Sequence, residues 1–227
     1  MNCKVRLIFE DNHLLVAEKP VNLLSQPDRT GDPDMLSLLK EDIKKRHDKP
    51  GNVYLGLVHR LDRPVGGVMV FARTSKAAAR LSAQLRDGTF LKNYLAVVRG
   101  KLSPAAGRLS HFLVKDNAVN RVFSAEDGSE ALLDYRLLES SQGLSLVSIR
   151  LLTGRSHQIR VQMSLAGCPL YGDQKYGSKV NKHGEQLALW AVGLTFTHPV
   201  TKELLAFNST PPAIYPWGLF NQLGGKK

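Results

Sequence analysis

The opening stretch alternates apolar with charged residues from Val5 to Glu10 and turns apolar again from Leu14 to Ala17, so it reads as strand, turn, strand. Asp11-Asn12 supplies the turn and Pro20 the stop. Asp32-Pro33 predicts a helix start, with Asp32 as N-cap and Pro33 in the first helical position. Met35, Leu38, Leu39 and Ile43 give that helix one apolar stripe, and Lys40, Lys44, Lys45 and Arg46 point elsewhere. Tyr54–Val58 and Gly67–Ala72 read as strands. Thr74 or Ser75 caps a second helix reaching about Asp87-Gly88, with Ala78, Leu81 and Leu85 inward. A strand is expected over Tyr94–Val98, and short strands over residues 110–150, clearest at Leu133–Leu138 and Leu144–Leu151. Ser156 caps a further helix to Ala166, with Gly167 past its end. Leu187–Thr197 and Glu203–Phe207 return to strand character. Strands dominate, three or four helices interrupt them without regular strand–helix alternation, and the class is α+β.

Composition narrows this picture without changing it. With 43% hydrophobic and 22% charged residues in 227, the chain is ordinary globular protein, large enough to bury a core without a metal or disulfide. The longest apolar run near the middle, Val68–Ala72, is far short of the roughly 20 residues of a membrane helix. The start has no apolar core of signal-peptide length. Cys3 and Cys168 have neither paired spacing nor a nearby His cluster, which argues against a disulfide scaffold or zinc site. The expectation is a soluble, cytoplasmic protein of one domain over residues 1–227, a monomer with no membrane association.

Charge adds a partner. The formal net charge is +11, and it is unevenly placed: residues 51–110 carry ten basic and two acidic side chains, and residues 151–227 carry eight and three. Residues 1–50 balance, and residues 111–150 are net −2. Two separated basic stretches that fold into one basic cleft would suit a polyanion, with RNA or DNA leading; a merely well-solvated basic surface is the alternative.

Three constellations carry candidate chemistry. His59-Arg60-Leu61-Asp62-Arg63-Pro64 lies between two apolar strands, and Asp62 is the sole acid from residue 49 to residue 86. Flanked by Arg60 and Arg63, its carboxylate would stay ionised and can act as nucleophile or base; a structural Asp that caps a turn and pairs with an Arg is the competing reading. Thr153-Gly154-Arg155-Ser156-His157-Gln158-Ile159-Arg160 leads from a strand through a glycine turn into a helix. Ile159, Gln162, Met163 and Ala166 form its inward stripe, while His157, Arg160 and Ser164 share an adjacent face. A helix start beside Arg155 suits an anion, although a capping His157 and a solvated Arg160 fit the local pattern equally. Lys92-Asn93-Tyr94 opens a strand, where Tyr94 is either core or a platform for a base. Gly172–Lys179 has the wrong order for a phosphate loop, and no HExxH, CxxC, GxSxG or GxGxxG motif supports a metallopeptidase, hydrolase or dinucleotide enzyme.

Taken in order, His59–Asp62, Lys92–Tyr94, Thr153–Arg160 and Gly167–Gly177 resemble the signature blocks of the RluA-type pseudouridine synthases, and Phe9–Pro20 resembles that family's N-terminal block. The resemblance runs from about residue 5 to residue 215. It implies a mixed, mostly antiparallel sheet flanked by helices with a central basic cleft, and isomerisation of uridine to pseudouridine in RNA, ribosomal RNA before tRNA. No cofactor or metal is implied. By position, Asp62, Tyr94 and Arg160 match the family's catalytic residues: Asp62 the nucleophile, Arg160 set against it, Tyr94 stacked on the uracil. Arg60 matches the residue that fills the space vacated by the flipped base, and Leu189 an apolar position near the uracil. His59, Arg155 and His157 join them as candidate substrate-binding residues.

The pattern also departs from the family. Val65-Gly66 stands where Thr-Ser is common, and Gln162 and Trp190 stand where His is frequent. No S4-like RNA-binding module precedes the first block, so substrate choice is expected to rest on loops such as residues 25–53 and 100–130. A catalytically silent RNA-binding or assembly protein on the same fold is the alternative, with an N-glycosidase-like hydrolase a weaker third.

Overall fold

A computed structural model describes residues 5–223. In chain order these form β1 (Arg6–Glu10), β2 (Leu14–Lys19), α1 (Met35–Arg46), β3 (Gly56–Leu57), β4 (Gly66–Ala72), α2 (Ser75–Arg86) and β5 (Leu91–Arg99). There follow β6 (Ala106–Asp116), β7 (Arg121–Ser124), β8 (Ser129–Ser141), β9 (Leu144–Leu151), α3 (Gln158–Leu165), β10 (Leu189–Thr197) and β11 (Leu204–Asn208). Two short 3-10 turns close the described chain. The class is α+β, as the pattern predicts. No helix among the described residues is long and apolar enough to cross a membrane.

The chain divides into two compact units, residues 1–91 with 191–209, and residues 92–190 with 210–227. In the first unit the strand order is β1-β2-β4-β10, with β11 beside β10 and β3 beside β4. Period-2 alternation puts Leu14 and Val16 of β2, Val68, Val70 and Ala72 of β4, and Leu194 and Phe196 of β10 in one core with Ala77 and Leu81 of α2. The Phe90 ring stacks on Phe196 at 4.9 Å. All seven residues of β4 are buried, so this strand is covered on both faces and reads as a continuous apolar run. Thr74 caps α2, its hydroxyl accepting the Ala77 N–H at 3.1 Å.

Gly67, within β4, has φ +121°, and a Cβ there would lie 2.3 Å from the Ala191 carbonyl oxygen. Backbone cannot yield as a side-chain tip does. Gly67→Ala is therefore expected to lower stability by about 2 kcal/mol or more, read as a fall in thermal midpoint.

The second unit has the order β5-β9-β8-β6-β7, joined antiparallel throughout. Here the strands are longer than the sequence pattern suggests, 11 residues in β6 and 13 in β8. Most of β6 is exposed, so the apolar half of its alternation is missing and windowed reading sees only fragments. Conversely, of Tyr54–Val58 only Gly56 and Leu57 pair, with Ala72 and Phe71.

Two helix starts differ from expectation. Asp34, not Asp32, caps α1, accepting the Ser37 N–H at 2.9 Å. Asp32 instead accepts from Arg63 at 2.7 Å, a long-range partner that local capping rules cannot foresee. α3 begins one residue later than a Ser156 cap implies, because His157 adopts left-handed backbone with φ +50° and breaks the helix there.

Candidate active site

The Asp62 turn is built from its backbone outward. Asp62 is half-buried, and its carbonyl accepts the Val65 N–H at 3.0 Å, closing the turn. The residues on either side are clamped. The Ser25 hydroxyl donates to the Leu61 carbonyl at 2.7 Å and accepts the Leu61 N–H at 3.1 Å. The fully buried Lys19 sends its ammonium to the carbonyls of Pro20, Leu23 and Arg63 at 3.0, 2.5 and 3.0 Å. A buried cation among carbonyl oxygens satisfies groups that would otherwise be orphaned and holds three chain segments together. Ser25→Ala removes one donor and one acceptor and is expected to cost about 2 kcal/mol, measurable by thermal or denaturant unfolding.

Arg60 and Arg63 flank Asp62 in sequence and are expected to hold it, but neither guanidinium makes an ion pair with it. Arg63 Nη1 is paired with Asp32, and its Nε donates to the Asn22 carbonyl at 3.3 Å. Arg60 is exposed and makes no hydrogen bond or ion pair among the described residues. Adjacent side chains leave a tight turn in different directions, so sequence proximity does not make a pair. His59 is engaged by the fold as well: its Nε2 accepts the Val70 N–H at 3.1 Å, and its ring lies 5.8 Å from Phe90. Val65 is buried and Gly66 opens β4.

In the second unit the decisive element is α3. Gln158 closes its entry turn, with Oε1 accepting the Arg155 N–H at 2.9 Å and the Thr153 hydroxyl at 2.8 Å. The predicted shared face of His157, Arg160 and Ser164 exists, and Tyr176 fills it. His157 Nδ1 and the Tyr176 hydroxyl are 2.6 Å apart, the Arg160 guanidinium lies 5.3 Å from the Tyr176 ring centre, and the Ser164 hydroxyl donates to the Tyr176 carbonyl at 2.7 Å. The inward stripe is also seen at Ile159, Gln162 and Met163, but Ala166 is exposed.

Arg160 is 7% exposed, so it is no solvated helix arginine. Its Nε and Nη2 each donate at 2.8 Å to one oxygen of Asp173, in a fork-to-fork pair. Asp173 is itself buried and accepts the N–H groups of Lys175 and Tyr176 at 2.9 and 3.0 Å. Burial alone would raise its carboxyl; the Arg160 guanidinium and those amides outweigh burial and hold it below the ordinary carboxylate range. Asp173 lies within the Gly167–Gly177 block, where the sequence pattern assigns it no role. Its one local signal is an acid followed at two and three residues by amides free to turn back onto it.

Tyr94 is buried in β5 opposite Ile149 of β9. Lys92, two residues earlier and on the same strand face, reaches the Thr153 carbonyl at 3.5 Å, and burial lowers its ammonium pKa. Arg155 is exposed, with Nε donating to the Glu130 carbonyl at 2.8 Å. Leu189 and Trp190, which open β10, are buried. Gln162 is fully buried, donating to the carbonyls of Leu109 and Ala131 at 3.2 and 2.9 Å and lying 3.1 Å from His111 Nδ1. Among the described residues no group of three or more His, Cys, Asp or Glu side chains is placed to hold a metal ion.

Comparison with known proteins decides the class. Residues 13–165 match the family model described as RNA pseudouridylate synthase. The chain is 31% identical over 211 residues to the dual-specificity RNA pseudouridine synthase RluA of Haemophilus ducreyi, covering 90% of this chain and 92% of that one. The chain belongs to the RluA-type RNA pseudouridine synthases. As such it is an isomerase of the RNA-modification class. It is also 34% identical over 222 residues to the ribosomal large subunit pseudouridine synthase D of Zymomonas mobilis, spanning 92% of this chain and 69% of that relative. Among solved structures, the human RNA pseudouridylate synthase domain containing 4 superposes with a TM-score of 0.77 at 24% identity, over 91% of this synthase and 88% of that chain. That likeness shows the fold.

Proposed function

We propose that this synthase converts uridine to pseudouridine in structured RNA, ribosomal RNA first and tRNA second, with Asp62 as the nucleophile. Family membership together with the clamped Asp62 turn carries the reading. In the reaction the C1′–N1 bond of the nucleotide breaks, the uracil turns, and C1′ is joined to C5. The C5 proton leaves and N1 takes one up, so no redox partner, metal or cofactor is required. The target uridine leaves its stack at a cost of a few kcal/mol. Arg60, exposed and without a hydrogen bond or ion pair among the described residues, is suited to occupy the vacated place. Tyr94 stacks on the uracil and takes the C5 proton at the end. Arg160, oriented by Asp173, supplies fixed positive charge to the site. His59, Arg155, His157 and Leu189 complete the substrate-binding set, and the basic stretches grip phosphates with salt-dependent affinity. Residues 1–227 act as one catalytic domain, a cytoplasmic monomer.

The test is to incubate ribosomal RNA and tRNA, purified separately from cells lacking the gene, with the protein and to resolve the digested nucleosides. Pseudouridine is expected to rise in ribosomal RNA with no free uracil. RNA binding without pseudouridine in either pool would favour the silent-binder reading, and free uracil would favour a hydrolase.

A further inference from the structure

The hairpin of β6 and β7, the start of β8 and the turn before α3 line a small open cavity whose residues, Arg155 apart, have no role in the proposed function. Its volume is about 190 Å³, and it is lined by Leu113, Lys115, Val122, Ser129, Arg155 and Ser156. This is smaller than the roughly 300 Å³ at which whole small-molecule pockets begin, and it suits one base with its phosphate.

The lining follows from strand register. Leu113 is opposite Ser129 of β8, and Lys115 is opposite Val122 of β7. Because side chains alternate, these four residues share one face of the three-stranded sheet, and the neighbouring acids Asp116 and Glu130 belong to the other. Leu113 and Val122 are buried, packed with Ala131 and Val161, and make an apolar floor. Above it stand an ammonium, a guanidinium and two hydroxyls. Neither Lys115 nor Arg155 has a carboxylate partner, and the Lys115, Ser129 and Ser156 side chains make no hydrogen bond among the described residues. Arg155 is aimed by its Nε bond to the Glu130 carbonyl, so its remaining N–H groups are held without cost to a ligand.

The cavity also adjoins the Arg160 cluster. The Val122 N–H donates to the Tyr176 hydroxyl at 2.9 Å, and the Tyr176 ring lies against Arg160. We infer that this cavity binds one nucleotide of the substrate RNA beside the Arg160 cluster, with its phosphate between Lys115 and Arg155 and its base on Leu113 and Val122. Cations without counter-ions above an apolar floor match the two faces of a nucleotide, charged backbone and stacking base. The inference rests on the RNA reading proposed above and adds a subsite to it.

The test measures affinity of the full chain for ribosomal RNA from cells lacking the gene, across about 50 to 200 mM salt. Lys115→Gln is expected to weaken binding by roughly 3- to 10-fold at the lowest salt and to reduce the slope of log K against log salt by about 1. Ser129→Trp fills the cavity and is expected to weaken binding without changing that slope. Arg136→Gln, an exposed arginine of β8 on the sheet face opposite Ser129, serves as control and should match wild type. If Lys115→Gln and Ser129→Trp both bind like the control while wild type forms pseudouridine, the subsite is overturned and the activity stands. If wild type has no RNA affinity, the subsite falls together with the reading beneath it.

Discussion

Replacing Asp62 by Asn lowers the rate of pseudouridine formation by roughly 10⁴-fold or more, the scale on which loss of a nucleophile registers. The exchange preserves side-chain shape and removes only the ionised oxygen. Arg63 keeps its own carboxylate through the exchange, because it is paired with Asp32. The clamps from Ser25 and Lys19 act on the backbone of residues 61 and 63, so the turn itself is retained. Thermal midpoint and RNA affinity should therefore stay within experimental error of wild type, measured by melting and by filter binding. A variant with near-normal rate would mean that the nucleophile lies elsewhere.

The second large effect is on stability. Asp173→Ala removes the forked carboxylate from the buried Arg160 and one acceptor from the amides of Lys175 and Tyr176. Removing one member of a buried pair costs about 3–5 kcal/mol, because the remaining charge stays desolvated. For a chain of this size that is a fall in midpoint of roughly 10 °C. Since the folded carboxyl is held below its unfolded value, the pair contributes fully above the unfolded value near pH 4 and is lost as pH falls through the depressed folded one. Asp173→Asn cannot lose a charge, so its deficit against wild type should be wide at pH 7 and narrow toward pH 3. A deficit of equal size at both values would contradict the ion-pair account.

Local rules recovered much of the fold. The Asp11-Asn12 turn, the Thr74 cap and the apolar run of β4 are each determined by neighbours in sequence, and each is where the pattern places it. The face of α3 that carries His157, Arg160 and Ser164 was legible from helical spacing, though its occupant was not. What sequence could not show are partners brought together by long loops. Asp32 looks like a helix cap until Arg63 arrives from 31 positions away. Arg160 looks solvated until the 173–177 turn delivers Asp173 beneath it. The lengths of β6 and β8 were hidden for another reason: exposed strand faces carry no apolar signal, and their hydrogen bonds leave no trace in residue type. The Ser25 and Lys19 clamps share this limit, since their acceptors are backbone carbonyls.

The most direct measurement is tritium release from RNA labelled at uracil C5 and isolated from cells lacking the gene, with wild type and Asp62→Asn assayed side by side. Joining C1′ to C5 expels the C5 hydrogen, so the assay reads the reaction without knowledge of the modified position. Release by wild type and none by Asp62→Asn is the predicted result. No release by wild type from either ribosomal RNA or tRNA, or equal release by both proteins, would contradict it.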